Sequence, residues 1–167
     1  MITAEDWTLA STYSMFVIPE ESDEDAPEGI ALDCADVPFP EIDSTKISDW
    51  IESIVLDHSK NLGSIQYVFC SDEYLQKINW EHLGHEELTD IITFEYSADP
   101  LEGEIYVSTE RVLDNSQLMN LPYDDELLRV LAHGVLHLCG YKDKTPEDIL
   151  EMRKQEDRYI KIYRKNI

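Results

Sequence analysis

The segment from Tyr123 to Cys139 constrains the fold most. It sets Leu127, Leu128, Leu131, Val135 and Leu138 at the spacing of one helical side, and Gly140 follows. The pattern predicts a helix with a broad buried stripe. Asp124, Asp125 and Glu126 suit the positive end of its dipole. Gly140 ends it, because glycine enters the left-handed backbone region at little cost. His133 and His137 stand four residues apart within it, so they share a face and lie about 6 Å apart along the axis. A fold that accepts this helix must bury its leucines and still let two imidazoles aim at one point.

Asp143 follows Gly140 by three residues, and a glycine turn there lets the chain double back. Two ring nitrogens and one carboxylate oxygen would leave a fourth position open, the arrangement of a catalytic zinc site. The negative end of the helix dipole favours a cation at the same place. A bare H-x-x-x-H pair is equally the mark of ordinary surface or core histidines; Gly140 and Asp143 at these steps shift the balance towards a metal. The whole pattern resembles the extended zincin motif H-E-x-x-H-x-x-G-x-x-H, with two departures. Gly134 occupies the slot of the glutamate base, and Asp143 that of the third histidine. Without that base, peptide hydrolysis is the less favoured chemistry.

The rest of the chain supplies a small α+β domain. Residues 1–28 form an acidic extension whose stretch "EESDEDAPE" offers nothing to bury and reads as disordered. From residue 29 to 167 the pattern is orderly. "GIALDC" and "SIQYVFC" are strand candidates. Ser44 is the expected cap of a helix over 45–60 that buries Ile47, Trp50, Ile51, Ile54 and Val55. Ser71 caps "DEYLQKINWEHL", with Tyr74, Leu75 and Ile78 facing inward. "TDIITFEY" (89–96) is a nearly continuous apolar run, as in a strand buried on both faces. "EGEIYVS" (102–108) follows an Asp99-Pro100 turn, close enough to pair with it, and a short helical turn is expected over 109–116. Thr145-Pro146-Glu147-Asp148 opens a last helix with a cap, a proline in the first turn and an acid three residues on. The expectation is a small mixed sheet packed with several helices, one of them a zincin-like metal helix.

Charge bears on partners. The formal net charge is −23, and eight of the thirteen Lys and Arg lie from Lys142 onward. An acidic front thus precedes a more basic tail, and taken whole the balance disfavours phosphate binding. No run of residues approaches the roughly 18 needed to cross a bilayer, and the first residues do not read as a signal peptide. Cys34, Cys70 and Cys139 lie far apart, which argues against a disulfide framework. The expected location is the cytoplasm.

The string "HGVLHLCGY" is more specific than its histidines alone. It resembles the signature H-G-x-L-H-L-x-G-Y-D-H of the YbeY family of endoribonucleases. "SDEYLQKIN", "TDIITF" and "EGEIYVS" resemble other family segments in order and spacing, with Glu104 where an aspartate is usual. The resemblance covers roughly residues 30–160. It implies a metal-dependent, single-strand-preferring endoribonuclease acting in small-subunit ribosomal RNA maturation and ribosome quality control, with ribosomal RNA and the small ribosomal subunit as partners. It also implies one zinc ion held by three side chains. His133 and His137 match the first two ligands; Lys142-Asp143 stands where the family has Asp-His, so Asp143 falls on the third. A carboxylate there makes manganese or another oxygen-preferring ion a better competitor than three imidazoles would.

A second departure concerns substrate handling. The family's Tyr-Arg pair after its second helix is replaced by Asn79-Trp80-Glu81-His82. Two residues are candidates to compensate: Arg129, one turn before His133, and His85, in the loop before the buried strand. The plainer readings are an Arg129 paired with Asp125 and a solvated His85. Asp90 either orients a loop or a ligand or caps a turn, Glu104 is an acid near the site or a solvated strand residue, Cys139 is a small buried hydrophobe or lies near the metal, and Tyr141 packs in the core or stacks on an unpaired base. Trp80 could stack on an unpaired base. The basic tail helix either follows an RNA backbone or is an ordinary solvated helix. Two rival functions remain: a non-catalytic ribosome assembly factor with a structural metal, and a metallopeptidase.

Overall fold

Residues 28–83 and 89–165 are described by the computed structural model. Within them the chain runs β1 (Gly29–Cys34), α1 (Ser44–Asp57), β2 (Leu62–Cys70), α2 (Asp72–Leu83), β3 (Ile91–Ala98), β4 (Leu101–Ser108), α3 (Thr109–Met119), α4 (Tyr123–Leu138) and α5 (Pro146–Lys165). The four strands form one sheet in the order β1-β2-β4-β3. β1 and β2 pair in parallel, as do β2 and β4, whereas β3 returns antiparallel to β4. This is the expected α+β fold with a mixed sheet. None of the described helices is long and apolar enough to cross a membrane.

The alternation of side chains along the strands divides the apolar residues between two layers. Ile65, Tyr67, Phe69, Leu101, Ile105 and Val107 face the larger core, which α1, α4 and α5 complete. Cys70, Ile92 and Phe94 face the smaller one with Leu75 of α2. β3 is an edge strand, yet Ile91 through Phe94 are all buried, because Ile91 serves one core and Ile92 and Phe94 the other. The unbroken apolar run in the sequence has this two-sided demand as its cause.

Helix ends follow local hydrogen bonding. Asp43, not Ser44, caps α1: its carboxylate accepts from Lys46 N at 3.1 Å, and Ser44 is already the first helical residue. Ser71 caps α2 as expected, accepting from Tyr74 N at 3.1 Å. Tyr74 itself does not turn inward; it is 38% exposed and stacks on Tyr106 of β4. α3 runs through Met119 rather than stopping as a short turn, because Ser108 caps it and Asn120 closes it in the left-handed region at φ 54°. Thr145 and Asp148 cap α5 reciprocally, each backbone N–H donating to the other's side chain. The expectation of disorder over residues 20–28, like the acidic extension 1–28 as a whole, concerns, apart from Glu28, positions outside the described residues.

α4 crosses the larger core, and two contacts set its height over the sheet. The Tyr67 hydroxyl, fully buried on β2, donates to the Leu131 carbonyl at 2.8 Å. Gly134 faces the sheet: a Cβ there would lie 2.8 Å from both Ile105 Cγ2 and Ile91 Cδ1. Those isoleucines are completely buried, so they have no room to yield. The glutamate slot of the zincin pattern therefore points into packed side chains, and glycine is the residue that lets helix and sheet meet. Gly134→Ala should lower stability in urea unfolding by about 1–3 kcal/mol through overpacking, although alanine is by about 1 kcal/mol the better helix former.

Candidate metal centre

His133 and His137 lie on α4, and both are buried. Their Nε2 atoms stand 2.9 Å apart. Gly140, in the left-handed region at φ 100°, turns the chain after the helix. The turn brings Asp143 Oδ2 to 3.9 Å from His133 Nε2 and 3.7 Å from His137 Nε2. Four-coordinate zinc with bonds of about 2.0–2.1 Å separates its ligand atoms by roughly 3.3–3.4 Å, and the three observed separations straddle that value. His133, His137 and Asp143 are the one group of metal-competent ligands found among the described residues.

Partners on the far side of each ring decide what the inner nitrogens carry. His133 Nδ1–H donates to Glu156 Oε1 at 2.6 Å, and His137 Nδ1–H donates to the Tyr141 carbonyl at 2.9 Å. A carboxylate and a carbonyl only accept, so each Nδ1 holds a proton, and Nε2 is the atom left to act as a ligand in the neutral ring. Burial, then repulsion from His133, holds His137 down to about 4, so it is neutral near pH 7. The two Nε2 atoms and the Asp143 carboxylate converge on one point. The donor set and its spacing thus fit a divalent metal ion.

Glu156 is the most consequential residue that the sequence reading passed over. It comes from α5, is 1% exposed, and also accepts from Arg129 Nη1 at 3.0 Å and Arg153 Nη1 at 3.1 Å. Burial acts to raise its carboxyl. The hydrogen bond and charge of His133 and the two guanidiniums outweigh that and hold it below its ordinary value, so it is a carboxylate. In the sequence it looked like one more acid in a solvated tail helix. The available signal was its spacing: Met152, Glu156 and Tyr159, at i, i+4 and i+7, are the buried positions of α5, and an acid in an apolar stripe needs a partner.

The other candidates are placed as follows. Arg129 does not pair with Asp125; it is held by Glu156 and Asp157, each at 3.0 Å, with Glu126 at 3.7 Å, while Asp125 pairs with Arg164. Arg129 also lines a cleft of about 260 Å³ that runs along α4 beside His133, between α3, α5 and the start of β3. His85 lies outside the described residues. Asp90 lines the cleft, and its carboxylate accepts from Asn115 at 3.2 Å. Glu104 is bound by the hydroxyls of Tyr96 and Tyr106, on the strand positions that alternate with those facing the larger core. Cys139 and Tyr141 pack against the larger core, and the Tyr141 hydroxyl donates to His58 Nε2 at 3.1 Å. Trp80 is exposed. In the tail helix Lys154 pairs with Glu151 and Arg158 with Asp57, as in an ordinary solvated helix.

Comparison with known proteins gives a consistent picture. The family profile described as "Endoribonuclease YbeY" matches residues 36–164. The Endoribonuclease YbeY of Flavobacterium johnsoniae is 50% identical over 117 residues, covering 70% of this chain and 84% of that protein. That of Porphyromonas gingivalis is 41% identical over 132 residues, covering 78% and 87%. The solution structure of TM1509 from Thermotoga maritima superposes with a TM-score of 0.56 at 25% identity, covering 80% of this chain and 88% of that one.

Two measurements follow from the geometry. Glu156→Gln should weaken zinc affinity by about 10–100-fold in chelator competition, since a partner that fixes a ligand ring is worth that much. The second concerns Glu126, whose carboxyl burial pushes up to about 7; Asp90 and Glu156 add to the rise, and Arg129 and Arg153 oppose it. A carboxyl raised on folding stabilises the fold at low pH and loses that contribution as pH climbs through its folded value. Glu126→Gln should therefore gain on the wild type by on the order of 2–3 kcal/mol between about pH 5 and pH 8, read from paired denaturant titrations.

Proposed function

The chain belongs to the YbeY endoribonuclease family, and on that premise we propose that His133, His137 and Asp143 hold one zinc ion at which single-stranded RNA is cut. The substrate in this reading is ribosomal RNA, in maturation and quality control of the small ribosomal subunit. The compartment is the cytoplasm, in keeping with three free thiols. The activity belongs to one domain from residue 29 onward, with residues 1–28 as an acidic extension. The observation that carries the reading is the convergence of the two Nε2 atoms beside Asp143, each ring fixed by a hydrogen bond behind it.

Zinc bound there supplies Lewis acidity to the scissile phosphodiester and acidifies water, which compensates for the lack of a glutamate base. The residues do the rest by holding geometry. Glu156 and the Tyr141 carbonyl keep the protons of His133 and His137 on Nδ1, so that neither ring turns away or takes a proton on Nε2. Asp143 is the most open of the three, its side chain 24% exposed, so substrate meets the site from its side. The cleft along α4 gives the strand a place beside His133, and Arg153, half-exposed on Glu156, offers a cation at its edge. A peptidase would need a carboxylate base where Gly134 is packed against the sheet, which weighs against that rival.

The test compares zinc content and cleavage of a single-stranded ribosomal RNA fragment by the wild type and His137→Ala. The variant should lose the metal and at least about a hundredfold in rate, a loss in keeping with removal of a catalytic Lewis acid; equal cleavage by both would refute the reading. Asp143→His, which restores the imidazole usual in the family, should raise the preference for zinc over manganese in competition binding.

A further inference from the structure

Two adjacent residues at the end of α1 stand behind both hydrogen bonds of the metal centre. Asp57 accepts from the Tyr159 hydroxyl and from Arg158 Nη2, each at 2.7 Å. It thereby holds α5, the helix that brings Glu156 to His133. His58, the next residue, holds the turn that follows α4. Its Nδ1–H donates to the Ile54 carbonyl at 2.8 Å. A carbonyl only accepts, so in the neutral ring Nε2 is left as an acceptor, and the Tyr141 hydroxyl donates to it at 3.1 Å. The two rings also meet edge to face, with centroids 5.2 Å apart at 90°. On its other side His58 packs against the buried Tyr159 ring at 5.8 Å, so its own orientation is set by α1 and α5 together.

Tyr141 is the joint between His58 and the candidate ligands. Its backbone N–H donates to the Leu136 carbonyl at 3.0 Å, and its own carbonyl accepts from His137 Nδ1 at 2.9 Å. Asp143 follows two residues later, in the irregular stretch before α5 begins at Pro146. One backbone bond leaves a peptide free to rock about it. A hydroxyl pinned by a residue 83 positions away in the chain removes that freedom, so the carbonyl keeps its aim at the His137 ring. We propose that His58 is a positioning residue for the metal centre: by accepting from the Tyr141 hydroxyl it fixes the carbonyl that orients His137, and with it the path of the chain to Asp143. This rests on the zinc reading above and names a residue outside the ligand set on which that site depends. A purely structural His58 would tie α1 to the core, and its loss would lower stability while leaving the ligands as they are.

The test uses the full chain and three substitutions. His58→Phe keeps a ring and removes the acceptor, His58→Gln keeps an acceptor on a side chain of similar reach, and Tyr141→Phe removes the donor but leaves the carbonyl. Zinc affinity is read by chelator competition, and ligand geometry by the visible absorption of the cobalt-loaded protein. Proton–nitrogen NMR of the metal-free chain shows which nitrogen of His137 carries its proton. His58→Phe and Tyr141→Phe should each weaken zinc by about three- to tenfold, the range expected for one neutral hydrogen bond. The double variant should be no weaker than either, because both remove the same contact. Both should alter the cobalt bands and add an Nε2–H population at His137, and His58→Gln should restore the wild-type values. Unchanged zinc affinity and cobalt bands in His58→Phe overturn the proposal, whatever happens to stability in urea. So does a His58→Gln as impaired as His58→Phe, or a double variant whose losses add. Zinc binding indifferent to His58 removes the positioning role and keeps the zinc reading. A wild type that binds neither zinc nor cobalt, yet whose His137 proton shifts with His58→Phe, keeps the positioning role and removes the zinc reading.

Discussion

Two hydrogen bonds made behind the histidine rings govern the rest of the centre. An imidazole alone can swing about its χ angles and place its proton on either nitrogen. Here Glu156 and the Tyr141 carbonyl each take an Nδ1 proton, which settles tautomer and orientation together. The inner nitrogens are then driven to 2.9 Å with Asp143 beside them. With the candidate ligand atoms gathered by the fold, the cost of organising them falls on folding and not on binding.

That arrangement needs α4 at one height and one rotation over the sheet. Gly134 permits the approach against Ile91 and Ile105, and the Tyr67 hydroxyl on the Leu131 carbonyl sets position along the axis. The two faces of the helix therefore have separate tasks. One fills the larger core, and the other carries Glu126, His133 and His137 along cleft and centre. A residue chosen for the first task, Gly134, removes a catalytic option from the second. The missing glutamate is thus a packing consequence, and the chemistry follows from it.

Periodicity made most of the fold legible. The five buried residues of α1 were the five expected, and the two-sided burial of Ile91–Phe94 followed from an unbroken apolar run. What failed had local causes. Asp43 and Ser44 are adjacent competent caps, and only backbone geometry chooses between them. Tyr74 has a polar tip that gains from reaching solvent while its ring stacks on Tyr106. The candidate ligands could be grouped from the sequence because they lie within eleven residues of one another. Glu156 was not, because it arrives from another helix and its role depends on how α5 crosses α4. Glu126 was seen as a dipole partner at a helix start; its burial beneath α3 could not be read from its neighbours in sequence.

Glu156 also makes the C-terminal helix part of the centre. α5 is fastened to α1 through the Trp50 indole on the Tyr159 carbonyl and through Tyr159 and Arg158 on Asp57. Occupancy by the ion and docking of this helix are consequently one thermodynamic transaction seen from two ends: each must favour the other by the same coupling free energy. A contact that tightens or loosens α5, such as those on Trp50 and Asp57, would have leverage on a metal held at the site without touching it.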